Sequence, residues 1–190
     1  MPSAQKVYSM VGNENLWQVA MQCHAALDQV KIPHSICGGV AVCLHGYQRN
    51  TIDIDLIIQR SDANAVRSTL EGIGLTWDSD EAEFRSPSGI QIQFLYAGDR
   101  AGKNSEVSIP EPVGDQNVEL VEDLPVLRLS RLIEMKIASA MGNLRRTHKD
   151  LADVVELIVV RNLNSSFARH LHKSVRPTFR ELVRNAQSAE

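Results

Sequence analysis

The stretch ICGGVAVCLHGYQRNTIDIDLII, residues 36–58, holds two adjacent glycines, a short apolar run, and then two aspartates one residue apart inside a β-branched apolar strand. Alternate residues of a strand share a face, so Ile52, Ile54 and Leu56 lie on one side and Asp53 and Asp55 on the other. Neighbouring carboxylates raise each other's proton affinity unless a cation intervenes. Mg²⁺ (or Mn²⁺) is suited to that place, because it takes carboxylate oxygens and keeps positions open for water and phosphate. The competing reading is a polar outer face on an edge strand, although acids are poor strand formers. Taken alone, the strand leaves the two readings even.

The diglycine tips the balance. Gly38 and Gly39 separate a short strand, HSIC, from a short helix, VAVCLHG, that Gly46 stops. A glycine break before a helix exposes backbone N–H groups that suit a phosphate. A tight turn needing positive φ is the plainer account. Followed at short range by Asp-x-Asp, the corner would hold a triphosphate beside its magnesium. Arg49 and Thr51 lie just before the aspartates. Arg49 either meets phosphate or pairs with a surface acid, and the sequence weighs these equally.

Outward from this segment the periodicities are clear. Asn13 reads as a cap, with Glu14 in the first turn of a helix whose apolar residues run from Leu16 to Val30, ended by Pro33. Beyond the Asp-x-Asp strand, Ser61 or Asp62 caps a helix through Leu70. LTWDS, AEFRS and GIQIQFLYA then read as strands, with SPSG as a hairpin turn. Residues 98–117 are rich in turn formers and predict an irregular excursion, and VELVE a last short strand. From Leu127 the pattern is helical, with Pro177 starting or kinking the final helix. These patterns predict an α/β core over residues 1–127 and a helical lobe over 128–190.

Hydrophobic residues are 43% of the 190, enough for a core. No apolar run reaches the roughly 20 residues that cross a bilayer. The N-terminus lacks the apolar core of a secretory signal. Cys23, Cys37 and Cys43 form no CxxC pair and read as free buried thiols in a reducing cytoplasm. Residues 1–127 carry 8 Lys+Arg against 17 Asp+Glu, and residues 128–190 carry 12 against 6. An acidic front and a basic back suit a site that holds cations on one side and phosphate on the other, or are two solvated surfaces.

One lysine lies on the wrong face. At about 100° per residue, Leu129, Leu132, Ile133 and Ala140 cluster with Lys136 among them, while Arg131 and Glu134 lie opposite. An inward lysine needs a partner, a triphosphate or the paired aspartates, unless it snorkels past the helix end. THKD matches a capping box, with Thr147 as cap and Asp150 reaching back. Arg145, Arg146 and Lys149 form a basic patch there, solvated or in contact with phosphate or nucleic acid.

GGVAVCLHGYQRNTIDIDLII resembles the GG-A…R-x-T-x-D-h-D signature of the minimal nucleotidyltransferases, h being apolar. LSRLIEMKIASAM…RRTHKDLADVVELI resembles the second block of a branch that includes the AbiEii/AbiGii-type toxins of abortive-infection systems. The resemblance spans roughly residues 36–160 and implies an α+β nucleotidyltransferase fold: a small mixed sheet flanked by helices, with a helical C-terminal lobe. It implies transfer of an NMP from an NTP to an acceptor hydroxyl on RNA, a protein or a small molecule, and an antitoxin-like partner. Asp53 and Asp55 would hold Mg²⁺, while Gly38, Gly39, Arg49, Thr51 and Lys136 would serve the nucleotide. The family's third carboxylate falls at Gln93, in the strand GIQIQFLYA. A neutral amide can act neither as a base nor as a charged ligand. Catalysis is then impaired, unless Glu83 on the preceding strand points inward instead of being solvated. The alternative is a non-catalytic nucleotide-binding or regulatory module. A plain interaction domain is disfavoured by the convergence of GG, Asp-x-Asp and Lys136.

Overall fold

A computed structural model of the chain describes residues 14–187, with Ser3 and Lys6 before them; Asn13 lies outside the described residues. Helix α1 spans Glu14–Gln29 and leads into strand β1, His34–Cys37. Helix α2, Gly38–Leu44, follows without a linker, so both glycines belong to its first turn and do not precede it. Strand β2, Asp53–Ile58, runs into a 3₁₀ turn at Arg60–Asp62 and helix α3, Ala63–Gly72. Neither Ser61 nor Asp62 makes a side-chain cap to this helix. Strands β3, Thr76–Asp78, β4, Glu83–Arg85, and β5, Gln91–Tyr96, occupy the segments expected of them. The turn between β4 and β5 closes with Gly89 N–H donating to Ser86 O at 2.9 Å.

Strand β6, Val118–Val121, is followed by β7, Leu124–Leu127, which the sequence reading missed because Pro125 looks like a breaker. The seven strands lie in the order β3-β4-β5-β2-β1-β7-β6. Strand β2 is parallel to β5 and antiparallel to β1, and β1 is parallel to β7, so the sheet is mixed. Ile54, Leu56 and Ile58 are buried as period 2 requires, but Ile52 precedes the strand and is 65% exposed. Helix α1 packs on β2, β7 and α3.

The helical segment comprises α4, Leu129–Gly142, α5, Leu144–Val160, two 3₁₀ turns at Ser165–His170 and Lys173–Val175, and α6, Arg176–Gln187. Pro177 sits in the first turn of α6, where its missing N–H is harmless. Helix α5 begins three residues before Thr147, which corrects the capping-box reading. Thr147 Oγ1 instead donates back to Ala140 O at 2.8 Å and Asn143 O at 3.1 Å. Glu134, expected to face outward, is buried. Its carboxylate accepts from Arg131 Nη1 at 2.9 Å and from the His172 backbone N–H, tying α4 to the 3₁₀ turns. No described helix is long and apolar enough to cross a membrane.

Candidate active site

Strand pairing assembles the site. Asp53 is the cross-strand partner of Gln91, and Asp55 of Gln93, so these four side chains share one face of β2–β5. Cys37, paired with Asp55 from β1, donates its Sγ–H to Asp55 O at 3.6 Å. Gly38 follows at once, with φ +61°, a backbone that L side chains rarely adopt. A Cβ there would lie 1.7 Å from Asp55 Oδ2. One at Gly39 would lie 2.4 Å from Thr51 Oγ1 and 3.0 Å from Arg49 Nη2. The diglycine therefore lets the backbone press against the aspartate strand, a requirement of space as well as of dihedral angle. Thr51 Oγ1 donates to Asp53 Oδ1 at 2.6 Å and orients that carboxylate.

Asp55 is 9% exposed. Burial, and then the charge of Asp53, push its carboxyl above the ordinary carboxylate range, while Arg146, Lys136 and Lys149 pull the other way. A pocket of about 200 Å³ opens beside it, with Gly38, Gln93, Lys136, Arg146 and Asp150 among its polar walls and Phe94, Leu132 and Met135 among its apolar ones. Lys136 faces inward, as its helical position requires, and is 6% exposed. Its Nζ is held by Asp153 Oδ2 at 2.6 Å and Asp150 Oδ1 at 3.2 Å. Asp153 also receives Arg49, Nε to Oδ1 at 2.8 Å and Nη2 to Oδ2 at 3.2 Å. Arg49, Asp153, Lys136 and Asp150 thus form a buried chain of alternating charge that joins the segment before β2 to α4 and α5. Asp150 Oδ2 stays buried without a hydrogen-bond partner among the described residues. Arg146 is exposed. The Arg145 side chain lies outside the described residues.

Glu83 is not solvated: it is 3% exposed. It accepts from Gln91 Nε2 at 2.8 Å and Gln93 Nε2 at 3.0 Å, and pairs with Arg85 Nη2 at 2.9 Å. The capping-box pattern accounts for Asp150 only as a cap partner and does not reach Asp153. The signal for both was two acids three residues apart on the stripe of α5 that continues to Leu157.

The residues fit a divalent cation. Asp53 and Asp55 supply two carboxylates on one face, and the Gly38 cradle leaves room for no side chain beside Asp55. No group of three or more His, Cys, Asp or Glu able to hold a metal ion occurs among the described residues, so phosphate oxygens and water would complete such a shell.

The sequence profile of the aminoglycoside-2''-adenylyltransferases matches residues 19–121, more than half of the chain. A comparison with curated proteins finds no match. The fold is shared with ANT(2'')-Ia solved in complex with adenylyl-2''-tobramycin: 14% identity and a TM-score of 0.55 over 90% of this chain and 97% of that one. The solution structure of ANT(2'')-Ia gives 14% and 0.55 over 92% and 95%. A candidate nucleotidyltransferase from Thermotoga maritima gives 17% and 0.51 over 71% and 89%. The profile match takes in the diglycine, both aspartates, Glu83 and Gln93, and on it the chain belongs to the aminoglycoside-2''-adenylyltransferase family, a family of nucleotidyltransferases.

Proposed function

We propose that the chain transfers an NMP from a Mg²⁺-bound NTP to an acceptor hydroxyl, releasing pyrophosphate, in the cleft between β2, β5, α4 and α5. The observation that carries the reading is the fit of the Gly38 backbone against Asp55 Oδ2. A phosphate tail laid along the diglycine lies beside the paired carboxylates. Bound there, the cation would neutralise phosphate charge as the leaving group departs. Asp53, oriented by Thr51, and Asp55 would hold it. Gly38 and Gly39 present backbone N–H groups to the phosphates, and Arg146, at the pocket wall, adds positive charge. Arg49 and Lys136 serve the nucleotide by locking α4 and α5 against this corner through Asp150 and Asp153.

The acceptor is a small molecule on this reading. ANT(2'')-Ia carries its adenylyl group on the 2'' position of tobramycin. Here the pocket of about 200 Å³ lies below the about 300–1,000 Å³ typical of drug-sized ligand sites, which suits one ring of a ligand. The toxin branch, with an RNA or protein acceptor and an antitoxin-like partner, rests on the block from Leu129 to Ile158 alone. Three free, buried cysteines favour a reducing cytoplasmic setting. Gln93 favours a second reading, nucleotide binding without turnover, because an amide cannot take the acceptor's proton.

Thermal melts with each NTP, with and without Mg²⁺, test the site: magnesium-dependent stabilisation that vanishes in Asp53→Asn is expected. No shift with any nucleotide overturns it. Incubation with α-labelled NTP and aminoglycosides, total RNA or lysate protein then separates the readings. Label transfer that requires Asp55 means turnover; binding without transfer means the second reading.

A further inference from the structure

Gln93 stands where the family's third acid is expected, and its amide is not free to turn. Glu83, Gln93 and Asp55 form a row across β4, β5 and β2, with Gln93 opposite Asp55 in the parallel pair and Glu83 extending the antiparallel register Phe84–Ile92 and Arg85–Gln91. Glu83 gathers three N–H donors, from Gln91, Gln93 and Arg85. An ionised carboxylate only accepts. Gln93 must therefore present its NH₂ to Glu83, which leaves Oε1 for the pocket that Gln93 lines with Asp55. With Gln93 reversed, two acceptor oxygens would face each other in a buried place, a costly arrangement.

We infer that Glu83 is a positioning residue that fixes the Gln93 amide with Oε1 toward Asp55, so that Gln93 is a neutral third oxygen ligand of the divalent cation bound by Asp53 and Asp55. Amide oxygens are ordinary ligands for hard cations. The arrangement keeps the oxygen count of a three-acid site with one negative charge fewer. It also explains why an acid at position 93 would be penalised here: it would stand between Glu83 and Asp55, a row of three carboxylates on one face. The inference rests on the nucleotidyltransferase reading of the same site.

The test is Mn²⁺ titration of the full chain in the presence of a non-hydrolysable ATP analogue, followed by paramagnetic resonance. Losing a residue that orients a metal ligand weakens metal binding by about 10–100-fold, so Glu83→Gln is expected to weaken Mn²⁺ by at least about 10-fold, and Gln93→Ala to do the same. In the Gln93→Ala background, where no amide is left to fix, adding Glu83→Gln is expected to weaken Mn²⁺ far less than it does in the wild type. A Glu83 that merely stabilises the sheet weakens Mn²⁺ equally in both backgrounds, which overturns the inference, as does Glu83→Gln with wild-type affinity. Should Glu83→Gln fail to fold, Gln93→Ala decides alone, since Glu83 keeps Gln91 and Arg85; unchanged affinity then overturns the inference. If the wild type binds no Mn²⁺ with nucleotide present, the nucleotidyltransferase reading fails with it, a result distinct from wild-type binding that ignores Glu83.

Discussion

Gly38→Ala probes the contact on which the site depends. Gly38 has φ +61°, and a Cβ there would sit 1.7 Å from Asp55 Oδ2 and 2.9 Å from Asp55 Cβ. The left-handed backbone alone costs an alanine about 1–2 kcal/mol. The contact cannot persist, and relieving it means turning the Asp55 carboxylate away or parting β2 from the start of α2. Overpacking of this kind adds about 1–3 kcal/mol. The sum, about 2–5 kcal/mol, corresponds to a melting temperature lower by about 4–20 °C for a chain of this size. Gly114 is the control, because its φ is +89° and a Cβ there meets nothing within 4 Å. Gly114→Ala should lose only the backbone part and keep the magnesium-dependent shift with NTP, whereas Gly38→Ala should lose more stability and the shift as well. Thermal melts of both variants, with and without Mg·NTP, decide. Equal melting temperatures with the nucleotide response intact in Gly38→Ala would refute the reasoning.

Lys136→Met removes the cation between Asp150 and Asp153 and leaves buried charge unpaired, so urea unfolding should show a loss of about 3–5 kcal/mol; a loss below about 1 kcal/mol would put the network at the surface in solution. Asp55→Asn should melt higher than the wild type without metal at neutral pH. The folded-state pKa of Asp55 is raised, so its ionised form burdens the fold above that pKa, and the gain should fade as pH falls through it. A lower melting temperature for this variant at neutral pH would contradict that. Burial lowers the pKa of His34 and of His45, whose Nε2 lies 2.8 Å from Leu127 O. Their neutral forms therefore contribute stability that is full above the unfolded value near 6.5 and is lost as pH falls below it, by up to about 1.4 kcal/mol per pH unit for each. Urea midpoints that stay flat from pH 7 to pH 5 in the wild type, and equally in His45→Gln, would show that neither ring resists protonation.

Much of the site is local, and local features are legible. Period 2 in TIDIDLII sets Asp53 and Asp55 on one face whatever the rest of the chain does. The inward position of Lys136 follows from helical phase alone, and the 6% exposure agrees with it. Where the reading failed, a long-range partner outweighed the local pattern. Thr147 and Asp150 match a capping box, yet α5 starts earlier because Asn143 and Ala140 offer Thr147 carbonyls, and Lys136 claims Asp150. Glu134 looks solvent-facing on an isolated helix and is buried because the 3₁₀ turns after α5 fold back over it. Strand β7 carries a proline and gains its place by pairing with β6 and, across the sheet, with β1, whose Ile36 lies opposite Val126 although the two are far apart in sequence.

The chain's own order of residues decided the chemistry offered: a diglycine after a strand, two acids on one strand face, a glutamine where a third acid is expected. These are matters of covalent spacing and backbone periodicity, which no partner can change. Only tertiary structure decided what each group does with its charge. Asp153, more than a hundred residues from Arg49, is what occupies that arginine, and the antiparallel register of β4 with β5 turns Glu83 from a surface acid into the clamp on Gln93. Burial sets the worth of an ion pair or a hydrogen bond, and burial is a property of the folded whole.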